Sequence, residues 1–257
     1  MVDDERRGDF RSHRVVSILQ PGYLPYPGFF ELIARCDVFV IYDDVQYDKN
    51  SWRNRNRIRG PRGAFWLTVP VVVKGKLGQK IKEVRVNNEH NWRRKHERSL
   101  RQYYARACYF QEYSGFLEDI YARPWEFLID LDMAIIDYFV QILGLKTEMI
   151  RSSRLVARGE KTKRIISICK ELGADAYIST NGAKSYLDKT QFFQEEISLV
   201  YQDYTLPEYD QGYGDFVSNL STIDLLFHCG HRSREVILST SQCPFNRKNT
   251  YRGCASL

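Results

Sequence analysis

An apolar run stops on two adjacent acids in "DVFVIYDDVQY", at Asp43 and Asp44. A carboxylate at the end of a buried strand can bind Mg²⁺ together with substrate phosphates, hold a sugar hydroxyl, or act as a general base. If the strand persists to Asp43, alternation turns the two side chains to opposite faces, so that one of them meets a pocket. Asp44, nearer the loop, is the expected catalytic group, and Asp43, at a more structural position, is still expected to bind substrate in the wall of a polar cleft with Gln20, Tyr23 and Gln46. The plainer alternative is that both cap a loop or pair with Arg53, Arg55 or Arg57.

Histidine 96 is the other candidate for acid–base work. It lies in "NWRRKHER", where neighbouring cations favour the neutral ring, although a histidine on a helix surface is commonly inert. The stretch "SWRNRNRI" alternates arginine with asparagine. On an extended chain Arg53, Arg55 and Arg57 share a face and offer paired donors suited to phosphate or carboxylate. Trp52 and Asn54 accompany Arg53 and Arg55 as binding candidates. Gln20 and Tyr23 follow the first apolar run, and Gln46 follows the second. Ser179, Asn181, Gly182, Lys184 and Tyr186 lie in "STNGAKSYLD", where Asn-Gly marks a turn and amides at a helix start can hold an anion. An ordinary β-to-α turn is the competing reading of that loop.

Metal chemistry is weakly indicated. His228, Cys229 and His231 fall close together in "HCGHR", but no second pair at zinc-finger spacing accompanies them, and no metal site is expected. There is no GxGxxG, Walker A or GxSxG sequence.

The elements that must hold these residues read as an α/β domain. "VVSIL" and "DVFVIY" are short, continuously apolar and β-branched, the pattern of strands buried on both faces of a parallel sheet. Between them, Pro27 suits a first helical turn and Phe30, Ile33 and Ala34 recur at helical spacing. "FWLTVPVVV" and "IKEVRVN" read as two more strands, the first marked by Pro70 as an edge or a bulge. "WRRKHERSLRQYYARA" and "WEFLIDLDMAIIDYFVQILGL" read as helices. A strand in "TEMIRSS", a helix "KTKRIISICKEL" and a strand "DAYIS" make a second βαβ-like run. "LSTIDLLFHCG" reads as a helix capped by Ser221, with Asp224 structural. The fold expected is a mostly parallel, doubly wound, Rossmann-like sheet flanked by helices. Residues 14–240 form its single domain, with a helical segment at 91–144 and tails at 1–13 and 241–257. Gln20, Asp43 and Ser179 then fall at strand carboxyl ends, where open α/β sheets bind ligands.

The 257 residues carry a net charge of +6, with clusters in the two arginine-rich stretches, which points to an anionic partner or to a solvated basic face. Six cysteines without CxxC spacing, no apolar stretch near the roughly 20 residues of a membrane span and no signal-peptide h-region give a cytoplasmic protein.

Taken in order, "QPGYLPYPGFFELI", "DVFVIYDDVQYDKNSWRNRNRI", "WLTVPV", "NWRRKHERSLRQYY", "DAYISTNGAKSYL" and "LSTIDLLFHCG" resemble the WbqC-like family of bacterial proteins over residues 15 to 230. The resemblance implies a role in O-antigen or other surface-polysaccharide synthesis, with aminoacyl modification of an amino sugar, such as glycylation, as one task. The family pattern falls on Gln20, Pro21, Tyr23, Pro25, Asp43, Asp44, Gln46, Trp52, Asn54, Arg55, Trp92, His96, Ser179, Gly182 and Tyr186, without a catalytic assignment to carry over. His228 stands where the pattern has Asn, and "TNGAKS" matches its loop loosely. The layout is also similar to the nucleotidylyltransferase and class I synthetase superfamily, though Tyr23 and Gly28 stand where its phosphate-binding histidines would be. That likeness admits ATP and Mg²⁺ as cofactors. The implied function is acyl or aminoacyl transfer to a nucleotide-linked amino sugar. Nucleotidyl transfer in the same pathway and a non-catalytic module binding tRNA or a nucleotide-sugar enzyme are the alternatives.

Overall fold

Five apolar tetra- and pentapeptides build the centre of the molecule in a computed structural model, which describes residues 14–49 and 51–240. They are β1 (Val15–Leu19), β2 (Val38–Ile41), β5 (Glu148–Arg151), β6 (Ala176–Ser179) and β7 (Ser198–Tyr201). Each pairs in parallel with its neighbour, in the order β5-β2-β1-β6-β7. β1, β2 and β6 are nearly or wholly buried along their length, which is why they read as unbroken apolar runs. The one polar residue inside β1, Ser17, is satisfied by donating from Oγ to the Ile178 carbonyl at 2.7 Å.

Alternation sends Val15, Phe39, Ile41 and Ile178 to one core and Val16, Ile18, Val38, Val40 and Tyr177 to another. Helix α1 (Pro27–Arg35) connects β1 to β2 over the first face, and α6 (Lys161–Glu171) connects β5 to β6 over the second. The sheet is therefore doubly wound and Rossmann-like, with its reversal of strand order between β1 and β6. Pro27 stands at the start of α1 as expected. Gly144 and Gly173 end the long helix and α6 at φ of 60° and 64°, the left-handed C-cap conformation.

Two expected strands are placed differently. β3 (Arg55–Gly60) and β4 (Gly63–Thr68) pair only with each other, as an antiparallel hairpin outside the sheet. "IKEVRVN" forms a 3₁₀ turn at Ile81–Glu83 followed by single bridges to Val71 and Phe127. Buried Ile81 and Val84 are three apart across the 3₁₀ turn, and buried Val86 follows Val84 at strand spacing where the bridge to Val71 forms. Residues 92–142 supply four helices: α2 (Trp92–Tyr104), α3 (Phe110–Tyr113), α4 (Gly115–Tyr121) and α5 (Leu128–Ile142). On α5 the expected apolar stripe holds at Leu128, Leu131, Ile135 and Phe139, while Ile142 at its end is exposed. A short α7 (Lys189–Gln194) starts at Asp188, whose carboxylate accepts from the Thr190 amide. The C-terminal pair is α8 (Thr222–Cys229), capped by Ser221, and α9 (Ser233–Leu238). The tails expected at 1–13 and 241–257 lie outside the described residues.

Candidate functional site

The carboxyl ends of β1 and β6 open into a cavity of about 550 Å³ at the point where strand order reverses. Leu19 and Gln20 line it from β1, and Thr180 and Gly182 from the loop after β6. Tyr26 and Phe29 close one side from the start of α1. The opposite side is the hairpin and its approach, with Trp52, Arg53, Asn56 and Arg57, and Asn219 reaches in from the loop before α8.

The hairpin is fastened to the β1–α1 loop by hydrogen bonds that its polar residues supply. The Arg53 Nη1 donates to the carbonyls of Gln20 and Pro21 at 2.8 and 3.0 Å, and the Tyr23 amide donates back to the Arg53 carbonyl at 3.0 Å. Asn56 Nδ2 donates to the Leu24 carbonyl at 2.6 Å, steadying a non-glycine residue held at φ 47°. Gly22 permits this approach, since a Cβ there would stand 2.7 Å from the Trp52 carbonyl oxygen. Arg53 is thus largely occupied as a clamp, and burial lowers its pKa. Arg57 is the freer cation of the wall. Its Nη2 makes only long contacts, 3.4 Å each, to the carbonyls of Ser218 and Asn219, and its Nε has no partner among the described residues. Among the described residues, two guanidinium groups and no carboxylate line the cavity, a balance that fits an anionic ligand. The same lining does not fit Mg²⁺, which asks for carboxylate oxygen.

A family model described as the WbqC-like protein family matches residues 20–236. The chain belongs to the WbqC-like family. It is also similar to "Uncharacterized protein Rv1507c" of Mycobacterium tuberculosis (strain ATCC 25618 / H37Rv), at 37% identity over 217 residues, covering 84% of this chain and 94% of that protein. No solved structure matches it significantly.

Of the positions expected to form a site, this WbqC-like chain gathers Gln20, Trp52, Arg53 and Gly182 around the cavity. Asn54 lies beside it, buried, donating to the Val69 carbonyl at 2.7 Å. Arg55 packs its guanidinium 4.3 Å from the Trp66 ring. Ser179 is buried at the end of β6, Asn181 and Tyr186 are exposed, and Lys184 stands 5.2 Å from the Tyr201 ring. Gln46 bridges to Lys80 and lines a separate opening with Tyr47 and the 73–79 loop.

Asp43 and Asp44 are not turned apart, because β2 ends at Ile41 and both acids follow it in a loop. They converge on the 152–153 turn. Asp43 is fully buried and accepts from the Ser153 amide and hydroxyl at 3.0 and 2.8 Å. Asp44 accepts from the Ser152 hydroxyl at 2.6 Å and pairs with Arg164. Neither lines the cavity.

His96 and Tyr23 sit in the core instead of on a surface. Trp92, His96, Leu100 and Tyr104 recur every four residues and form the buried face of α2, a periodicity that the surrounding charges obscure in the sequence. The Tyr23 hydroxyl and His96 Nδ1 share a hydrogen bond at 2.9 Å, and the Tyr23 hydroxyl also contacts that of Tyr121. Burial depresses the His96 pKa to about 4, so desolvation, and not the neighbouring cations, keeps the ring neutral.

Asp224 is structural in the way the capped helix suggested, through a different partner set. It accepts from the hydroxyls of Tyr104 and Tyr209 at 2.6 and 2.7 Å, and Tyr104 in turn accepts from the Arg59 amide at 2.8 Å, tying α8 to the hairpin. Among the described residues no cluster of three or more His, Cys, Asp or Glu could hold a metal, and no helix is long and apolar enough to cross a membrane. Polar lining residues missed in the sequence are Asn56, Thr180 and Asn219, while Arg57 falls on the expected arginine face but is not singled out there as a site residue. Arg57 had a signal in its alternation with Arg53 and Arg55, whereas Asn219 reaches the site through a loop without one.

Proposed function

We propose that this WbqC-like protein transfers an acyl or aminoacyl group to a nucleotide-linked amino sugar in the synthesis of a surface polysaccharide. The observation that carries the reading is the cavity at the β1/β6 reversal, where a cation on one wall faces polar strand ends on the other. An anionic diphosphate suits Arg57, and sugar hydroxyls suit the Gln20 amide and the Thr180 hydroxyl. Among the described residues the cavity lining contains no Cys, His, Asp or Glu, which favours direct attack by the sugar's amine over a covalent enzyme intermediate. In such a transfer the amine nitrogen forms a bond to the acyl carbon, the bond to the leaving group breaks, and the amine proton passes to water. Catalysis then rests on holding the two reactants in register.

Isotope exchange between ATP and pyrophosphate tests the reaction class. Exchange driven by an amino acid supports acyl activation within this protein. Exchange driven by a sugar phosphate replaces the reading with nucleotidyl transfer. Loss of an acyl substituent from the surface polysaccharide of a gene-deletion strain supports the pathway assignment, and an unchanged polysaccharide refutes it.

A further inference from the structure

The chain has four tryptophans and treats them in two ways. Trp92 and Trp125 are 3% and 7% exposed, whereas Trp52 and Trp66 are 46% and 42% exposed and lie against each other with ring centroids 4.9 Å apart. Leaving two adjacent indoles in water forgoes the burial that large aromatic rings ordinarily gain. Trp66 lies on β4 of the hairpin that walls the cavity, Trp52 lies on the turn leading into β3, and the hairpin register sets the cations beside Trp66. Arg57 pairs directly with Trp66 across the strands, so their side chains share a face, and Arg55 shares it from two positions along. The Arg55 guanidinium lies 4.3 Å from the Trp66 ring centroid, and that of Arg57 lies 5.8 and 5.9 Å from Trp52 and Trp66. A row of contacts, here called a stack, thus runs from Arg55 through Trp66 to Trp52, the two indole planes tilted 44° to each other, and Trp52 together with Arg57 lines the cavity.

We infer that this stack is a platform for a heterocyclic base, and that the ligand is a nucleoside diphosphate derivative bound in one direction. The base lies outermost against Trp52, the diphosphate lies on Arg57, and the group beyond the diphosphate points inward to Gln20 and Thr180. The inference rests on the reading of the cavity as the site of a nucleotide-linked amino sugar and adds to it the element that holds the base and the direction in which the ligand lies. A flat, electron-poor base gains from an indole face that is already held in place, because little side-chain freedom is lost on binding. The cations beside the indoles place the adjoining phosphates within reach of Arg57 in the same ligand.

The test compares inorganic pyrophosphate with uridine, cytidine, guanosine, adenosine and thymidine diphosphates on the full chain, by calorimetry and by quenching of the exposed tryptophans. Stacking on an aromatic side chain corresponds to about a 5- to 150-fold change in affinity on removal. At least one nucleoside diphosphate is expected to bind tenfold or more tightly than pyrophosphate. Trp52→Ala is expected to abolish that advantage while leaving pyrophosphate affinity within about twofold, Trp52→Phe to keep part of it, and Arg57→Ala to weaken both ligands. Equal affinities for pyrophosphate and every nucleoside diphosphate overturn the platform and leave the anion-binding cavity standing. So does a Trp52→Ala protein with unchanged nucleoside diphosphate affinity. Binding of neither class overturns the inference and the reading beneath it. Steeply salt-dependent binding of single-stranded RNA that nucleoside diphosphates fail to displace overturns the inference in favour of a nucleic-acid surface.

Discussion

Replacing His96 with glutamine converts its buried environment into a measurable pH dependence. The folded ring has a pKa of about 4 because burial disfavours its charged form, while an unfolded histidine titrates near 6.5. Between those values the unfolded chain binds a proton that the folded chain refuses, so this residue's contribution to stability falls as pH drops. The slope is about 1.4 kcal/mol per pH unit, and the interval from 6.5 down to about 4 sets a total of about 3.4 kcal/mol, an order-of-magnitude figure fully developed only below pH 4. Burial raises the pKa of Asp132 and Asp224, which act in the opposite direction, so the informative quantity is the difference between wild type and variant. Urea denaturation at half-unit steps from pH 8 to pH 4 gives that difference. Above about pH 7 it should be constant and reflect only the exchanged hydrogen bond to Tyr23, about 1–3 kcal/mol. Below pH 6.5 the wild type should lose stability relative to His96→Gln. A difference that stays flat down to pH 4.5 would show that the ring is charged or solvated in the folded protein and would refute the burial argument.

Three further substitutions probe how the site is held. Gly22→Ala should destabilise the protein by about 1–3 kcal/mol and lower affinity in the cavity, since the new Cβ meets the Trp52 carbonyl; unchanged denaturation midpoint and affinity would show that the loop yields freely. Asp43→Asn should cost about 2–4 kcal/mol, because a fully buried acceptor of the Ser153 amide and hydroxyl is compromised, whereas Asp44→Asn, in a partly exposed pair with Arg164, should cost about 1 kcal/mol; a larger loss at Asp44 in chemical denaturation would contradict that ranking. Tyr104→Phe removes the hydroxyl shared by the Arg59 amide and Asp224 and should lower stability by about 1–3 kcal/mol, with a melting temperature at wild-type level as the refuting result.

The sheet was legible because β1, β2 and β6 are buried on both faces and so appear as unbroken apolar runs. Their parallel order also places Gln20, Asp43 and Ser179 at one rim, as the βαβ pattern implied. What escaped was decided by tertiary contacts. β3 carries three arginines and one asparagine, and its reason for being a strand is the hydrogen bonding of Asn56 to the β1–α1 loop and the packing of Ile58 beneath it. Nothing local announces that the "FWLTVPVVV" run turns back onto this segment and leaves the sheet. The side-chain alternation expected at Asp43 and Asp44 failed because β2 ends two residues earlier, and strand ends carry little sequence signal. Tyr23 looked like a loop residue facing a ligand, yet its hydroxyl is consumed by His96 and Tyr121 inside the core.

The placement of the cavity between β1 and β6 also fixes when in folding it can exist. Ser17 and Ile178, which bond across that junction, are 161 positions apart, and Thr222 bonds to Pro25 across 197. Closing a loop of 161 residues costs about 4.5 kcal/mol in chain entropy beyond a constant, whereas the hairpin turns within two residues and can form early. The wall bearing Trp52 and Arg57 is therefore a local structure that waits for distant partners, and the opposite rim arrives only when most of the polypeptide has been synthesised. Occupancy of the cavity accordingly reports on completion of the whole chain fold, which makes a bound ligand a sensor of global folding and not of any fragment.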